Sequence, residues 1–147
     1  MKSFDDFAIG DINIDGFQVV KSNYFNRQIE PYMSFRETSI SFNASAYKAL
    51  NCVATIHLMV NQANRKILIR PINSDDANSI TWLKDADNPN CKPIECAAFT
   101  RPLYDMWSWN IKTRYRAYGK LVQHDKKLML MFDFSSPEII PPGQQNP

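Results

Sequence analysis

Apolar and polar positions alternate along much of the chain, and the alternation is broken twice by helical spacing. In "TSISFN", residues 38–43, Ile40 and Phe42 stand between polar residues, the two-residue period of a strand with one buried face. Asn43 then occupies a helix-cap position ahead of "ASAYKAL", and "CVATIHLMV" resumes β-branched, strand-like text. The polar loop "NQANR" leads into "KILIRP", so these segments are predicted to pair as a hairpin ending at Pro71. Residues 73–92 are rich in turn formers, with one apolar cluster at Ile80, Trp82 and Leu83, and read as a mobile loop.

The same order of parts follows again. "KPIEC" reads as a short strand, and "AAFTRPLYDMWSW" sets Phe99, Leu103, Met106 and Trp107 on one apolar helical stripe. Pro102 belongs in the first turn of that helix, where its missing N–H costs nothing, with Thr100 as the candidate cap. A hairpin closes the unit. Strand, helix and hairpin thus occur at about residues 38–71 and 92–136, which predicts an α+β fold of antiparallel sheets with short helices, with a tandem of two βαββ units as one reading. Residues 1–140 form a single expected domain, and "PPGQQNP" at 141–147 an expected disordered tail.

The last hairpin carries most of the chemistry. With its turn at residues 124–127, Leu121 lies opposite Leu130, Gly119 opposite Phe132 and Ala117 opposite Phe134. Small residues on one strand then receive large ones from the other, a match that fixes register. The other face carries Arg114, Arg116, Tyr118 and Lys120, across from Met129, Met131 and Asp133. Two readings stand for that face. It is a solvated surface on which Asp133 pairs with a nearby arginine, or a platform on which cations hold phosphates and Tyr118 stacks on a base or sugar. Lys126 and Lys127 at the turn extend the second reading, and exposed Met129 and Met131 point to a contact surface for a partner protein.

Charge sharpens this picture more than composition does. At 147 residues, 44% hydrophobic and 22% charged, the chain is the size of one globular domain, without the run of ~18 apolar residues that a membrane span requires. Net charge is only +2, yet Lys92, Arg101, Lys112, Arg114, Arg116, Lys120, Lys126 and Lys127 outnumber Glu95, Asp105 and Asp125 between residues 92 and 127. That stretch is +5 and the remainder −3, the asymmetry expected of a phosphate-facing surface. Three cysteines, Cys52, Cys91 and Cys96, cannot all pair, and the opening "MKSFDDFAIGDINIDG" is acidic with no signal-peptide pattern, so a cytoplasmic address is expected.

No catalytic or metal signature emerges. The spacing of Cys91 and Cys96, with only His57 and His124 to complete a set, does not make a zinc site, and no other cofactor is implied. There is no nucleophile elbow, P-loop or dinucleotide fingerprint. Asp75 and Asp76 in "NSDDANS" read as a turn, His57 as a structural strand histidine, and Trp107 as core, with Trp109 less committed.

The stretches "FQVVKSNYF", "EPYMSFRETSISFNASAYKAL", "KILIRP", "SITWLK" and "RYRAYGKLVQHDKKLMLMFDFSSPEI" resemble a family of small chains from mobile elements of low-GC Gram-positive bacteria, commonly labelled integrase. The resemblance spans about residues 17–140 and rests on framework positions, notably Tyr115, Gly119, Lys120, Phe132, Asp133 and Glu138. It implies a genetic neighbourhood and no catalytic centre. The expected function is therefore a non-catalytic DNA-binding accessory or regulatory protein of a mobile element, one that assists a separate recombinase. The alternative is a protein-binding module, a host-facing inhibitor or an oligomeric scaffold.

Overall fold

The computed structural model describes residues 11–20, 30–73, 76–84 and 92–142. In chain order the elements are β1 (Tyr32–Phe35), β2 (Ser39–Phe42), α1 (Ala44–Ala49), β3 (Thr55–Asn61), β4 (Lys66–Pro71), β5 (Ile80–Thr81), β6 (Ile94–Glu95), α2 (Ala97–Met106), β7 (Arg114–His124), β8 (Lys127–Asp133) and β9 (Glu138–Ile140). The class is α+β, weighted toward strand. One antiparallel sheet runs β5-β3-β4-β8-β7-β1-β2-β6 and curls into a half-barrel, with β9 attached to β7. Strand, helix and hairpin do recur, as β2-α1-β3-β4 and β6-α2-β7-β8, but the two hairpins meet edge to edge through β4 and β8. They build one sheet, not two separate units.

The expected register of β7 on β8 is present, with Gly119 opposite Phe132 and Leu121 opposite Leu130. A two-residue turn, Asp125 and Lys126, closes the pair His124 and Lys127, and both turn residues have positive φ, 51° and 63°. That mirror-image turn matches the twist of the strands, although it costs about 1–2 kcal/mol at each residue bearing a Cβ. Two expectations for this hairpin are corrected. Ala117 and Phe134 are both in the core but do not pair, because β8 stops at Asp133 and Ala117 pairs instead with Met33 of β1. Leu121 is 51% exposed, so the apolar face does not stay covered toward the turn.

Inward-facing Met33, Phe35, Ile40, Phe42, Ile56, Ile67, Ile69, Leu130 and Phe132 share one core with residues of both helices. Asn43 caps α1 as expected, and its side chain does more than cap. Its Oδ1 accepts from the Ala46 and Tyr32 amides, while its Nδ2 donates to the Glu30 carbonyl, tying the helix start to the entry of β1. Beneath α2 lies an aromatic cluster in which Phe35 touches Phe99, Trp107, Trp109 and Phe134. Trp109, uncommitted in sequence, stacks on Tyr115 at 4.2 Å and 11°, so its ring is packed within the fold. The Tyr104 hydroxyl lies 3.0 Å from the Phe35 carbonyl and 2.8 Å from that of Thr113, joining α2 to β1 and to the start of β7.

Three details of α2 differ from expectation. Cys96 is the N-cap, so Thr100 and Pro102 both lie inside the helix. Thr100 is buried and donates its hydroxyl to the Glu37 carbonyl; Pro102 is tolerated because it and Ala98, whose carbonyl loses its partner, are both exposed to water. Met106 is 50% exposed, and Tyr104 takes its place on the buried stripe with Leu103 and Trp107. The expected loop at 73–92 contributes β5 and the buried Trp82 and Leu83; its residues 74–75 and 85–91, including Cys91, lie outside the described residues, as do tail residues 143–147. Among the described residues no helix is long and apolar enough to cross a membrane.

A Cβ on Gly119 would sit 2.7 Å from the Phe132 ring. Gly119→Ala should therefore destabilise the fold by about 1–3 kcal/mol through overpacking. Urea unfolding measures this, and a wild-type midpoint would show that the ring has room to retreat.

Candidate functional site

The strand alternation that buries Ala117 and Gly119 against the core turns Arg114, Arg116, Tyr118 and Lys120 to the opposite face of β7. Strand β1 lies alongside, with Tyr32 opposite Tyr118 and Ser34 opposite Arg116. On the other flank β9 sets Ile140 opposite Arg114 and Glu138 opposite Arg116. Three segments far apart in the chain thus meet at one end of β7.

What they enclose is a group of guanidiniums. Arg114 Nη2 donates to Ser34 Oγ at 3.2 Å and Arg116 Nε to the same oxygen at 3.4 Å, while Ser34 is fully buried. Arg114 is only 8% exposed, and its Nε is buried without a hydrogen-bond partner. Burial, then the charges of Arg116 and Arg36, hold the Arg114 pKa below the usual arginine range, and Glu138 opposes them weakly. The group stays cationic nonetheless, because arginine does not deprotonate in proteins. Among the described residues the ion pairs are His57–Asp76, Arg101–Glu37 and His124–Asp125, none of which involves these three arginines.

Beside the guanidiniums stand two rings. Arg116 lies over Tyr32 with 4.3 Å between guanidinium carbon and ring centroid, and Tyr118 meets Tyr32 edge-on at 6.0 Å and 78°. Tyr118 is half exposed, so it retains free aromatic surface. Further along the row Lys120 is exposed opposite Met131. Among the described residues Asp133 makes no ion pair with an arginine. Its carboxylate accepts from the Ser135 amide and hydroxyl, which hold its pKa below the usual range with help from Lys66 and Lys120.

The structure divides the candidate residues. Arg114, Arg116, Tyr118 and Lys120 form one row, and Arg114 is buried at its end, not spread on a solvated surface. Lys126 and Lys127 sit at the hairpin turn, level with His124, about 33 Å along the strand from Arg114 but only about 13 Å beyond Lys120. There they line clefts with Arg70, Pro71 and Asn73. Met129 is not exposed: it is 5% accessible, opposite Val122, and it lines a cleft of about 430 Å³ with Arg70, His124 and Lys127. Met131 is half-buried between Lys120 and Leu68. Met129 is therefore not the exposed residue expected, while Met131 keeps part of its surface.

Sequence reasoning passed over Tyr32, Ser34 and Arg36, although alternation in "YMSFR" was a readable signal for strand β1. It had no local signal for the contacts of His57, whose Nε2 lies 2.9 Å from the Asp76 carboxylate and whose Nδ1 lies 2.7 Å from Arg70 Nη2. Comparison with protein-family models, curated proteins and solved structures returns no match.

The Arg114 Nε lacks a partner among the described residues, and a buried charge left without a counter-charge costs several kcal/mol, so an added anion is the direct probe of this cluster. Inorganic phosphate at ten times its dissociation constant should add about 1.4 kcal/mol to the unfolding free energy. Arg114→Met should unfold no more easily than wild type without phosphate and should gain less than half as much from it. Equal gains in both proteins, measured by urea titration, would exclude Arg114 from anion binding.

Proposed function

We propose that the protein is a non-catalytic DNA-binding accessory or regulatory protein of a mobile element, and that it holds a single strand along the outer row of β7. The observation that carries this is the set of arginines 36, 114 and 116, in no ion pair among the described residues although Glu138 lies opposite Arg116, beside half-exposed Tyr118. Cations fix phosphates while an aromatic face accepts a base of any identity, so charge and stacking divide the work as they do in other single-strand binders. Residues two apart on a strand recur every ~6.8 Å, which spreads Arg114 to Lys120 over about 20 Å, room for several nucleotides. The mobile-element context rests on the resemblance of the strand and hairpin text.

A second reading has its own support. Leu121 and Leu128 are each about half exposed on the inner face near the hairpin turn, and a protein partner docking there would cover them.

Arg116→Ala combined with Lys120→Ala should weaken single-strand binding for all sequences and flatten the log-affinity against log-salt slope by about 1.4, as two phosphate contacts are lost. Tyr118→Ala should cost about 1–3 kcal/mol on single strands and much less on duplex DNA. A salt-titrated anisotropy assay reads both. Unchanged affinity and slope in the double variant would move the protein-partner reading ahead.

A further inference from the structure

From the arginine cluster we infer a more specific ligand, namely the terminal phosphate of a nucleic-acid strand, bound as a monoester between Arg36, Arg114 and Arg116. This rests on the single-strand reading and adds an end specificity to it.

Position is the first argument. Arg114 is the first residue of β7, preceded by buried Thr113, and β9 stands against it with Ile140 opposite. The outward row that continues through Arg116 and Tyr118 to Lys120 therefore begins at the cluster. A strand whose end lies at Arg114 has the whole row from Arg114 to Lys120 to run along.

Access is the second. An internal phosphodiester is flanked by sugars on both sides and meets cations that project from a surface. Arg114 does not project: it is 8% exposed, and its Nε is buried without a hydrogen-bond partner among the described residues. A terminal phosphate has one ester link and three free oxygens, so it approaches a recessed guanidinium with less steric hindrance than a group flanked by two sugars.

Charge is the third. An internal phosphodiester brings one negative charge, whereas a phosphate monoester carries about −1.5 to −2 near neutral pH. Three guanidiniums with Glu138 opposite Arg116 leave a net charge of about +2, which the second balances better. Ser34 Oγ, already accepting from Arg114 and Arg116, holds both guanidiniums in place before the anion arrives. Such preorganisation favours a ligand that uses both at once.

The test is fluorescence anisotropy with one ten-nucleotide single strand in four forms: unphosphorylated, 5′-phosphorylated, 3′-phosphorylated, and with the preferred terminal phosphate capped as its methyl ester. One phosphorylated form should bind at least tenfold tighter than the unphosphorylated strand, and which one it is sets the strand's direction along β7. The methyl ester, which keeps the group but carries one charge, should lose most of that gain. In Arg114→Gln the ratio of phosphorylated to unphosphorylated affinity should fall toward one. Arg36→Gln, an exposed change outside the strands, should reduce the ratio as well and serves if the first variant fails to fold. Equal affinity of wild type for all four forms overturns the end specificity while leaving single-strand binding intact. Absence of binding to any form overturns both.

Discussion

Everything that faces outward on β7 depends on how β7 is set against β8, and that is decided by the Phe132 ring lying where a Cβ of residue 119 would be. The ring's nearest atom would be 2.7 Å from such a Cβ, a contact that only glycine permits. A slip of one residue would put Tyr118 or Lys120 against the ring and turn Arg114, Arg116, Tyr118 and Lys120 into the core, because side chains on a strand alternate faces. Burying three cations in an apolar core costs far more than a hairpin can supply. The aromatic packing and the cationic row therefore select the same register from opposite sides of one strand.

That double selection explains why the hairpin was legible in sequence. Leu130 and Phe132 opposite Leu121 and Gly119 form a local pattern, read within about 20 residues, and the structure reproduces it. The α1 cap at Asn43 was legible for the same reason, since capping uses residues three apart. Contacts that join distant segments were not. Arg114 reads as a surface cation in "TRYRAYGK", and only the docking of β1 and β9 onto β7 encloses it. Met129 reads as exposed by alternation alone, yet it lies opposite Val122 on the wall of the Arg70-lined cleft and is 5% accessible. Pro102 was placed too early in α2 because sequence shows a proline's cost but not whether the freed carbonyl faces water.

The cluster is assembled from residues 34, 36, 114 and 116, so its geometry is a tertiary property. β1 reaches β7 through the register Tyr32–Tyr118 to Phe35–Tyr115, and the Tyr104 hydroxyl fastens the same junction from the α2 side through the Phe35 and Thr113 carbonyls. Burial raises the Tyr104 pKa well above that of an ordinary tyrosine, so the hydroxyl stays a donor throughout the physiological range. Phe35 faces the aromatic cluster while its neighbour Ser34 faces the guanidiniums, which makes one four-residue strand the hinge between core and site.

This coupling bears on why a buried arginine is tolerated at all. An unpaired guanidinium is a local deficit, offset here by the aromatic packing directly beneath it on the other face of β1 and β7, where Phe35, Tyr104, Trp109 and Tyr115 interlock. Residues selected only for stability would place a methionine or a leucine at position 114. On the proposed reading that charge is held for a counter-charge from outside the chain, and an anion supplying it would stabilise the β1–β7–β9 junction as it binds. On that same reading, ligand affinity and the integrity of the junction become one quantity, and a strand engaging the proposed site would also tighten the part of the fold that built it.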